Sequence, residues 1–351
     1  MQPGRYNALT DVPGVLVGHY TLTTGESRTG VTAIRPLNAN HYTHKVTAAA
    51  HVLNGFGKTI GIPQIEELGE LETPILLTST LAVPKAADAL ISWMLTRCDS
   101  SITSLNPVVG ECNDSYLCNI AARPLQEEHV FAALDSASTG AVAEGAVGGG
   151  AGMTAFGFKG GIGTASRVLT PEQGGYTVAM LVMANFGASR DLLIAGVPVG
   201  QIIANRRLQE APATTRLDDN ANGDGSIMMI LATDAPLNSR QLLRLAKRAP
   251  MGLARTGSVA SHGSGDFVLA FSTGSYIPRQ RSPYAGTQRL VPTLYEDAIT
   301  PLFSGVVEST EEAIYNALFM AETTTGYQGH TREALPVEEV LSILKDHNRL
   351  Y

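Results

Sequence analysis

Short runs of apolar residues recur along the chain, and several of them are not interrupted by any polar residue. Runs of this length and continuity are typical of β-strands that are buried on both faces. The pattern predicts strands at residues 15–17, 29–34, 176–186, 226–233 and 267–272.

Longer segments with apolar residues at helical spacing lie between and after these strands. The predicted helices cover residues 83–97, 309–321 and 336–346. Pro84 supports the first of them, because proline is tolerated in the opening turn of a helix. Ser309 and Glu312 have the spacing of a capping box, which predicts that the second helix begins there. Buried strands combined with long helices indicate a layered α/β (α+β) architecture.

The composition fits a chain that buries much of its surface. Of the 351 residues, 44 % are apolar and only 16 % are charged, and the formal net charge is −7. The basic residues within 240–248 belong to the solvated face of a predicted helix, so no patch suited to nucleic acid remains. No apolar stretch is long enough to span a bilayer, and residues 1–10 lack the pattern of a signal peptide. We therefore expect a cytoplasmic protein that binds neither nucleic acid nor membrane.

Neither the cysteines nor the glycine clusters indicate a bound metal or cofactor. Cys98, Cys112 and Cys118 cannot all pair within one chain, and their spacing is not that of a zinc site. The glycines of residues 148–152 and 160–163 lack the lysine position of a phosphate-binding loop and the strand–glycine–helix context of a dinucleotide site. We interpret these glycines as positions of close backbone packing, and we expect no metal and no cofactor.

The junction between residues 225 and 226 has unusual features. Residues 206–225 are polar and predict an exposed loop, and Ser226 follows directly as the first residue of a predicted buried strand. If the bond after Gly225 were cut, the free α-amine of Ser226 would have a pKa near ~8 and could activate the serine hydroxyl. Glycine has no side chain, so at position 225 it hinders attack on its carbonyl less than any other residue would. Taken alone, however, this dipeptide favours a simple turn before a strand.

The surrounding residues change that balance. Asp224, Gly225 and Ser226, together with residues 227–237, resemble the cleavage-site motif of the L-aminopeptidase/D-esterase and β-peptidyl aminopeptidase family, which are self-processing serine aminopeptidases of the peptidase family S58 type. Further segments are similar to the same family in the same order, at residues 53–59, 108–114, 143–150, 158–164, 181–187, 263–266 and 308–313. The resemblance spans nearly the whole chain.

The resemblance implies a four-layer αββα sandwich, similar to N-terminal-nucleophile hydrolases but connected differently. It implies a single catalytic domain over residues 1–351, self-cleaved between Gly225 and Ser226 into an α-chain of residues 1–225 and a β-chain of residues 226–351. The assembly implied is a homotetramer of αβ units.

Roles for individual residues also follow from the resemblance. It implies that Ser226 is the nucleophile, that Ser264 and Asp266 hold its hydroxyl and amine, and that Asn185 donates to the oxyanion. The family often has glutamate at the position of Asp266, so the shorter carboxylate here leaves its contact open.

Three further residues are assigned to the substrate pocket or its surroundings. Glu111 is expected to bind the ammonium group of the substrate, because an aminopeptidase needs a carboxylate that faces a free N-terminus. Asn113 is expected to tune the pocket. For Tyr116, packing is favoured over a position in the site.

The function implied is release of N-terminal α- or β-amino acids from short peptides, amides and esters that carry a free amine. The alternative is acyl transfer of the ornithine acetyltransferase type, which shares the fold but uses threonine where this chain has Ser226. A scaffold without activity is a third alternative, and the joint presence of Ser226, Ser264, Asp266 and Asn185 argues against it. The preference for α- or β-amino acids and for L or D forms stays open.

Overall fold

A computed structural model of the chain describes residues 1–210, 225–279 and 290–350. The helices in these ranges are α1 (Ile62–Leu68), α2 (Val83–Arg97), α3 (Glu127–Asp135), α4 (Val199–Glu210), α5 (Ser239–Ala246), α6 (Ala249–Arg255), α7 (Thr300–Phe319) and α8 (Val337–Asp346). The strands are β1 (Leu16–Leu22), β2 (Thr29–Arg35), β3 (His44–Gly55), β4 (Glu70–Leu71), β5 (Ile75–Ser79), β6 (Val108–Cys112), β7 (Thr154–Ala155), β8 (Phe158–Lys159), β9 (Gly161–Val168), β10 (Thr177–Asn185), β11 (Ser226–Thr233), β12 (Gly265–Pro278), β13 (Thr324–Thr325) and β14 (Thr331–Arg332).

Two sheets form the centre of the fold. The smaller sheet has the strand order β1-β2-β5-β6, in which only β5 and β6 are parallel. The larger sheet has the order β4-β3-β12-β11-β10-β9, and only β11 and β12 are parallel. Every residue of β10 and β11 is buried, as the unbroken apolar runs predict.

The two sheets pack face to face, with helices on both outer faces. Side chains such as Leu77 of the smaller sheet and Ile230 of the larger sheet share one core between the sheets. Helices α2 and α3 cover the outer face of the smaller sheet. Helices α4 to α8 cover the outer face of the larger sheet. The order of layers is therefore αββα, which confirms the predicted architecture.

Two of the three predicted helices are correct, and the predicted start of the third is wrong. The helices α2 and α8 lie where the sequence predicts them. Ser309 and Glu312 lie inside α7, which already begins at Thr300, so the predicted capping box is wrong. The Ser309 hydroxyl instead donates to the Val306 carbonyl at 3.3 Å. Pro301 in the first turn marks the true start of this helix.

The predicted loop before Ser226 is wrong at its beginning. Residues 206–210 form the last turns of α4, because arginine, leucine, glutamine and glutamate are all good helix formers. The part of the predicted loop at residues 211–224 lies outside the described residues. Gly225 follows as a non-helical residue immediately before β11.

Two further features concern the cysteines and the possibility of a membrane-spanning helix. Cys98, Cys112 and Cys118 are all free thiols. Among the helices of the described ranges, none has the length and apolar character needed to cross a membrane.

One glycine allows the helical layer to approach the larger sheet closely. A Cβ atom on Gly163 of β9 would overlap the carbonyl oxygen of Ala313 and would lie 2.5 Å from the nitrogen of Ala317, both in α7. Gly305 in the same helix has room, because its nearest neighbour would be Val178 Cβ at 3.4 Å.

We predict opposite effects of alanine at these two glycines. Gly163→Ala is expected to lower the free energy of unfolding by about 1–3 kcal/mol, since α7 must move away from the sheet. Gly305→Ala is the matched control and is expected to be neutral or to stabilise the protein by up to about 1 kcal/mol, because alanine is the better helix former. Urea unfolding measures both effects, in a Ser226→Ala background chosen because the self-cleavage expected from the sequence would require the Ser226 hydroxyl. Equal effects of the two substitutions would contradict this account.

Candidate active site

The register of three strands brings the predicted catalytic residues to one edge of the larger sheet. Asn185 at the end of β10 pairs with Ser226 at the start of β11, and Ser226 pairs with Gly265 at the start of β12. Ser264 and Asp266 flank Gly265 in the chain. Because β11 and β12 are parallel, both begin at this edge, and the antiparallel β10 ends there.

The smaller sheet contributes Glu111 from β6. This carboxylate is buried, and it accepts hydrogen bonds from the backbone N–H of Lys58 at 2.8 Å and from the Thr80 hydroxyl. A Cβ atom on Gly57 would lie 3.2 Å from Glu111 Oε1 and would also overlap Phe267, so glycine is needed there for the chain to reach the carboxylate. Each carboxylate oxygen thus has one donor, and lone pairs remain for a ligand.

A cavity of about 280 Å³ joins the residues of the two sheets. Its wall consists of Phe56, Lys58, Thr80, Glu111, Asn113, Ser115, Tyr116, Thr154, Asn185, Gly225, Ser226, Gly263 and Arg332. Five residues predicted for the site lie on this wall, namely Glu111, Asn113, Asn185, Gly225 and Ser226. Ser264 and Asp266 are buried behind it.

The other eight wall residues were not predicted to line the site, namely Phe56, Lys58, Thr80, Ser115, Tyr116, Thr154, Gly263 and Arg332. Tyr116, for which packing was favoured, stacks with the His330 imidazole and also lines the cavity. Thr80, Thr154 and Arg332 come from segments far apart in the chain, and no short motif in the sequence identifies them. Their proximity to Ser226 depends on how the two sheets and the C-terminal segment pack.

The side-chain amide of Asn185 has a fixed orientation. Its Oδ1 accepts a hydrogen bond from the backbone N–H of Thr154 at 2.9 Å, and its Nδ2 donates to the backbone carbonyl of Asn113 at 3.1 Å. These two partners distinguish the oxygen from the nitrogen of the amide. Since Nδ2 carries two hydrogens, one N–H remains for a negatively charged oxygen in the cavity.

A buried lysine holds the segment that contains Thr154. The Lys159 ammonium donates to the carbonyl oxygens of Gly150 at 3.0 Å, Met153 at 2.9 Å and Gly160 at 2.7 Å. Burial lowers the pKa of Lys159 to about 7. The three contacts fix the backbone on both sides of Thr154, and through it the amide of Asn185.

Ser264 and Asp266 form a buried pair beside Ser226. The Ser264 hydroxyl donates to Asp266 Oδ1 at 2.7 Å, and Asp266 Oδ2 is buried without a hydrogen-bond partner. Burial raises the pKa of Asp266 to about 6, although the hydrogen bond from Ser264 opposes this shift. One carboxylate oxygen therefore remains available to a new donor.

Cys112 is the thiol nearest to the site, and its surroundings keep it protonated. Burial raises the pKa of Cys112 well above its ordinary value, with a further contribution from the negative charge of Glu111, and a hydrogen bond with Ser226 opposes both. The thiol donates to the Met183 carbonyl at 3.5 Å. A protonated, fully buried thiol is a poor nucleophile.

Gly225 is held on both sides. Its carbonyl oxygen accepts a hydrogen bond from the backbone N–H of Gly265 at 3.1 Å. A Cβ atom on Gly225 would overlap the Asn185 carbonyl oxygen and lie 2.6 Å from Phe186 Cα, so only glycine fits. The carbonyl carbon directly before Ser226 is thus fixed and polarised.

No group of three or more histidine, cysteine, aspartate or glutamate side chains in residues 1–210, 225–279 and 290–350 is placed to hold a metal ion.

An αββα sandwich with a buried serine at the start of a central strand, next to a side-chain amide and a buried carboxylate, is the arrangement of a serine hydrolase of the N-terminal-nucleophile type. The sequence profile of peptidase family S58 matches residues 7–332, and the chain belongs to that family. It is an aminopeptidase.

Three relatives cover almost all of the chain. The β-peptidyl aminopeptidase BapA of Sphingosinicella microcystinivorans is 41 % identical, over 99 % of this chain and 90 % of the relative. A β-aminopeptidase of Burkholderia sp. is 41 % identical with a TM-score of 0.88, over 98 % of this chain and 95 % of that one. The third is the L-aminopeptidase D-Ala-esterase/amidase of Ochrobactrum anthropi, which is described as a new variant of the N-terminal-nucleophile hydrolase fold. It is 36 % identical with a TM-score of 0.89, over 100 % of this chain and 96 % of that one.

The raised pKa of Asp266 generates a prediction on stability. In the unfolded chain an aspartate has a pKa of about 3.9. At pH values between about 3.9 and about 6, the Asp266 carboxyl is ionised in the unfolded chain but protonated in the folded chain. The unfolded state then binds fewer protons, so the contribution of this carboxyl to the free energy of unfolding falls as the pH rises through this window.

We expect Asp266→Asn to weaken this pH dependence. The comparison uses two intact chains, Ser226→Ala and Ser226→Ala/Asp266→Asn, unfolded in urea at several pH values between about 4 and 7. The double variant should lose less stability as the pH rises. Burial also raises the pKa of Asp114 to about 6, but Asp114 is present in both chains and contributes equally. Parallel pH profiles would show that Asp266 is not the group responsible.

Proposed function

We propose that this protein is a self-processing aminopeptidase that cuts its own chain between Gly225 and Ser226. The mature enzyme then uses Ser226 to release N-terminal residues from short peptides, amides and esters that carry a free amine. The observation that carries the proposal is the position of Ser226: it lies at the cavity wall as the first residue of a buried strand, directly after a glycine carbonyl that is held in place.

Self-cleavage begins with attack of Ser226 Oγ on the carbonyl carbon of Gly225. The bond between this carbon and the Ser226 nitrogen breaks, the nitrogen takes a proton, and the Gly225 acyl group is left as an ester on the serine. Water then hydrolyses the ester, which produces a carboxylate on Gly225 and a free amine on Ser226. The N–H of Gly265, which already donates to the Gly225 carbonyl oxygen, stabilises the negative charge that develops there.

Turnover uses the same hydroxyl with a new base. The free α-amine, with a pKa near ~8, takes the proton from the Ser226 hydroxyl as this attacks the substrate carbonyl. The remaining N–H of Asn185 stabilises the oxyanion. The amine passes its proton to the leaving group, and water hydrolyses the acyl-enzyme. The unpartnered oxygen of Asp266 supports a role in holding the amine in place.

Glu111 recognises the substrate ammonium in this mechanism. It is the carboxylate on the cavity wall within the described residues. Two nearby carboxylates are less suited: Asp114 accepts from the Ser79 hydroxyl at 2.7 Å, Glu144 accepts from the Thr164 N–H at 2.8 Å, and neither lines the cavity.

The names of two relatives favour β-amino acids at the substrate N-terminus, and that of the third favours L-amino acids. Acyl transfer of the ornithine acetyltransferase type is not favoured, because the relatives compared are aminopeptidases. A cytoplasmic location, in keeping with the free cysteine thiols, and a tetramer of αβ units complete the proposal.

Self-cleavage predicts two fragments, residues 1–225 and 226–351. Mass spectrometry should find a mature fragment that begins Ser-Ile-Met-Met. Ser226→Ala should abolish both cleavage and turnover, because both steps use this hydroxyl. Ser226→Cys should retain part of the cleavage, since a thiol is the stronger nucleophile. Activity of Ser226→Ala on aminoacyl p-nitroanilides would move the nucleophile elsewhere, with Ser264 as the next candidate.

The role of Glu111 predicts a selective loss in Glu111→Gln. Self-cleavage should proceed normally, because it involves no substrate ammonium. The value of kcat/KM on aminoacyl p-nitroanilides should fall about ten- to a hundred-fold, since a hydrogen bond to a charged group contributes about 1.5–3 kcal/mol. N-acetylated anilides should be nearly inert with the parent enzyme.

Glu144→Gln is the matched control for this prediction. It neutralises a carboxylate that lies outside the cavity wall, so its kcat/KM should stay near that of the parent. If Glu111→Gln cleaves the anilides at the parent rate, the ammonium binds elsewhere.

A further inference from the structure

A second cavity adjoins the one around Ser226. Its volume is about 330 Å³, and it shares two wall residues, Tyr116 and Arg332, with the first cavity. Glu111 and Ser226 line the first cavity and not the second. A molecule that extends from Glu111 past Ser226 into the second cavity must therefore pass Tyr116 and Arg332.

Arg332 is held in place, and the part of the chain that the structure describes offers it no acidic partner. Its guanidinium Cζ lies 3.7 Å from the centroid of the Tyr116 ring, and this ring stacks with the His330 imidazole at a centroid distance of 4.6 Å. The Nε–H of Arg332 is buried and donates to no acceptor among the described residues, and no carboxylate of those residues forms an ion pair with this side chain. A fixed guanidinium without a counter-ion on a cavity wall is suited to an anionic ligand.

The other cations near the two cavities already have partners. Arg207, on the wall of the second cavity, pairs with Glu333 at 3.5 Å and lies 5.8 Å from the centroid of the Phe158 ring. Lys58, on the wall of the first, places its Nζ 4.8 Å from the centroid of the Phe56 ring. Lys58, like Arg332, contacts an aromatic ring and not a carboxylate, but it lines only the first cavity. Arg332 lines both cavities, so it is the cation placed where a ligand passes from one to the other.

The geometry points to a subsite for the leaving residue of the substrate, in which Arg332 binds a C-terminal carboxylate. The Glu111 carboxylate and the Arg332 guanidinium then bind the two charged ends of a free dipeptide whose scissile carbonyl lies at Ser226. Phe158, Ile203 and Ala204 on the wall of the second cavity favour an apolar side chain on the leaving residue. The substrate class is therefore free dipeptides with an apolar second residue. This inference rests on the proposed aminopeptidase function.

The test compares three substrates that share one N-terminal residue: a dipeptide that ends in leucine, the same dipeptide with a C-terminal amide, and the p-nitroanilide. Both alanine and β-alanine serve as the shared residue. The parent enzyme should favour the free acid over the leucinamide by about tenfold or more in kcat/KM, mainly through a lower KM, because only the acid forms a charge-assisted contact with Arg332.

Substitutions at Arg332 then test whether this residue causes the preference for the free acid over the amide. Arg332→Gln should bring the acid-to-amide ratio to about one, and Arg332→Lys should restore part of it, because lysine keeps the charge without the planar fork. Arg207→Gln is the matched control and should keep the parent ratio, since Arg207 is already paired with Glu333. Appearance of the fragment that begins at Ser226 shows that each variant has folded and matured.

Failure of this inference differs from failure of the proposed function. If the parent does not hydrolyse the anilide with either N-terminal residue, the proposed function is wrong. If it hydrolyses the anilide but treats acid and amide alike, the carboxylate subsite alone is wrong. A preference that persists in Arg332→Gln also overturns the role of Arg332, and Lys58→Met is then the next variant to measure.

Discussion

The parallel pairing of β11 with β12 is the constraint on which the site depends. Parallel neighbours begin at the same edge of a sheet, so Ser226 and Gly265 lie side by side, and the Gly265 N–H reaches the Gly225 carbonyl. The antiparallel β10 on the other side of β11 ends at the same edge with Asn185. A shift of one residue in either register would turn the serine or the amide to the opposite face of the sheet. The apolar residues of β11, buried on both faces, oppose such a shift.

The site contains polar groups at buried positions, whereas buried positions in the rest of the fold are mostly apolar. Asp266 has one oxygen without a partner, Cys112 lies beneath Ser226, and the Lys159 ammonium is surrounded by backbone carbonyls. Burial shifts the pKa of each of these groups toward its uncharged form. Such groups contribute less to stability than apolar residues would, and their retention at one sheet edge is consistent with a functional origin.

The carboxylate and the guanidinium on the cavity walls, Glu111 and Arg332, are held in place by different kinds of neighbour. Glu111 is supported by donors from two different segments, whereas Arg332 is supported by an aromatic ring and not by an acid. A carboxylate and an unpaired guanidinium in one cavity complement a ligand that is positive at one end and negative at the other. The carboxylate comes from a strand of the smaller sheet, and the guanidinium comes from the short C-terminal hairpin of β13 and β14. The two charged groups therefore come from parts of the chain that lie on both sides of Ser226 in sequence.

The sequence alone determined the layered architecture, the buried central strands β10 and β11, the helices α2 and α8, and the residues that resemble a self-processing aminopeptidase. These features depend on local patterns: unbroken apolar runs, a proline in a first helical turn, and a polar segment that ends in Gly225 and Ser226. The start of α7 was missed, because the capping-box spacing of Ser309 and Glu312 occurs inside the helix and Pro301 marks its first turn. The last residues of α4 were assigned to a loop, although they are good helix formers. The tertiary structure decided which distant residues meet at the site. Thr80, Thr154 and Arg332 have no motif of their own, and the position of Tyr116 on the cavity wall follows from its contacts with His330 and Arg332. Contacts of this kind depend on the packing of sheets and hairpins, which residue spacing along the chain does not encode.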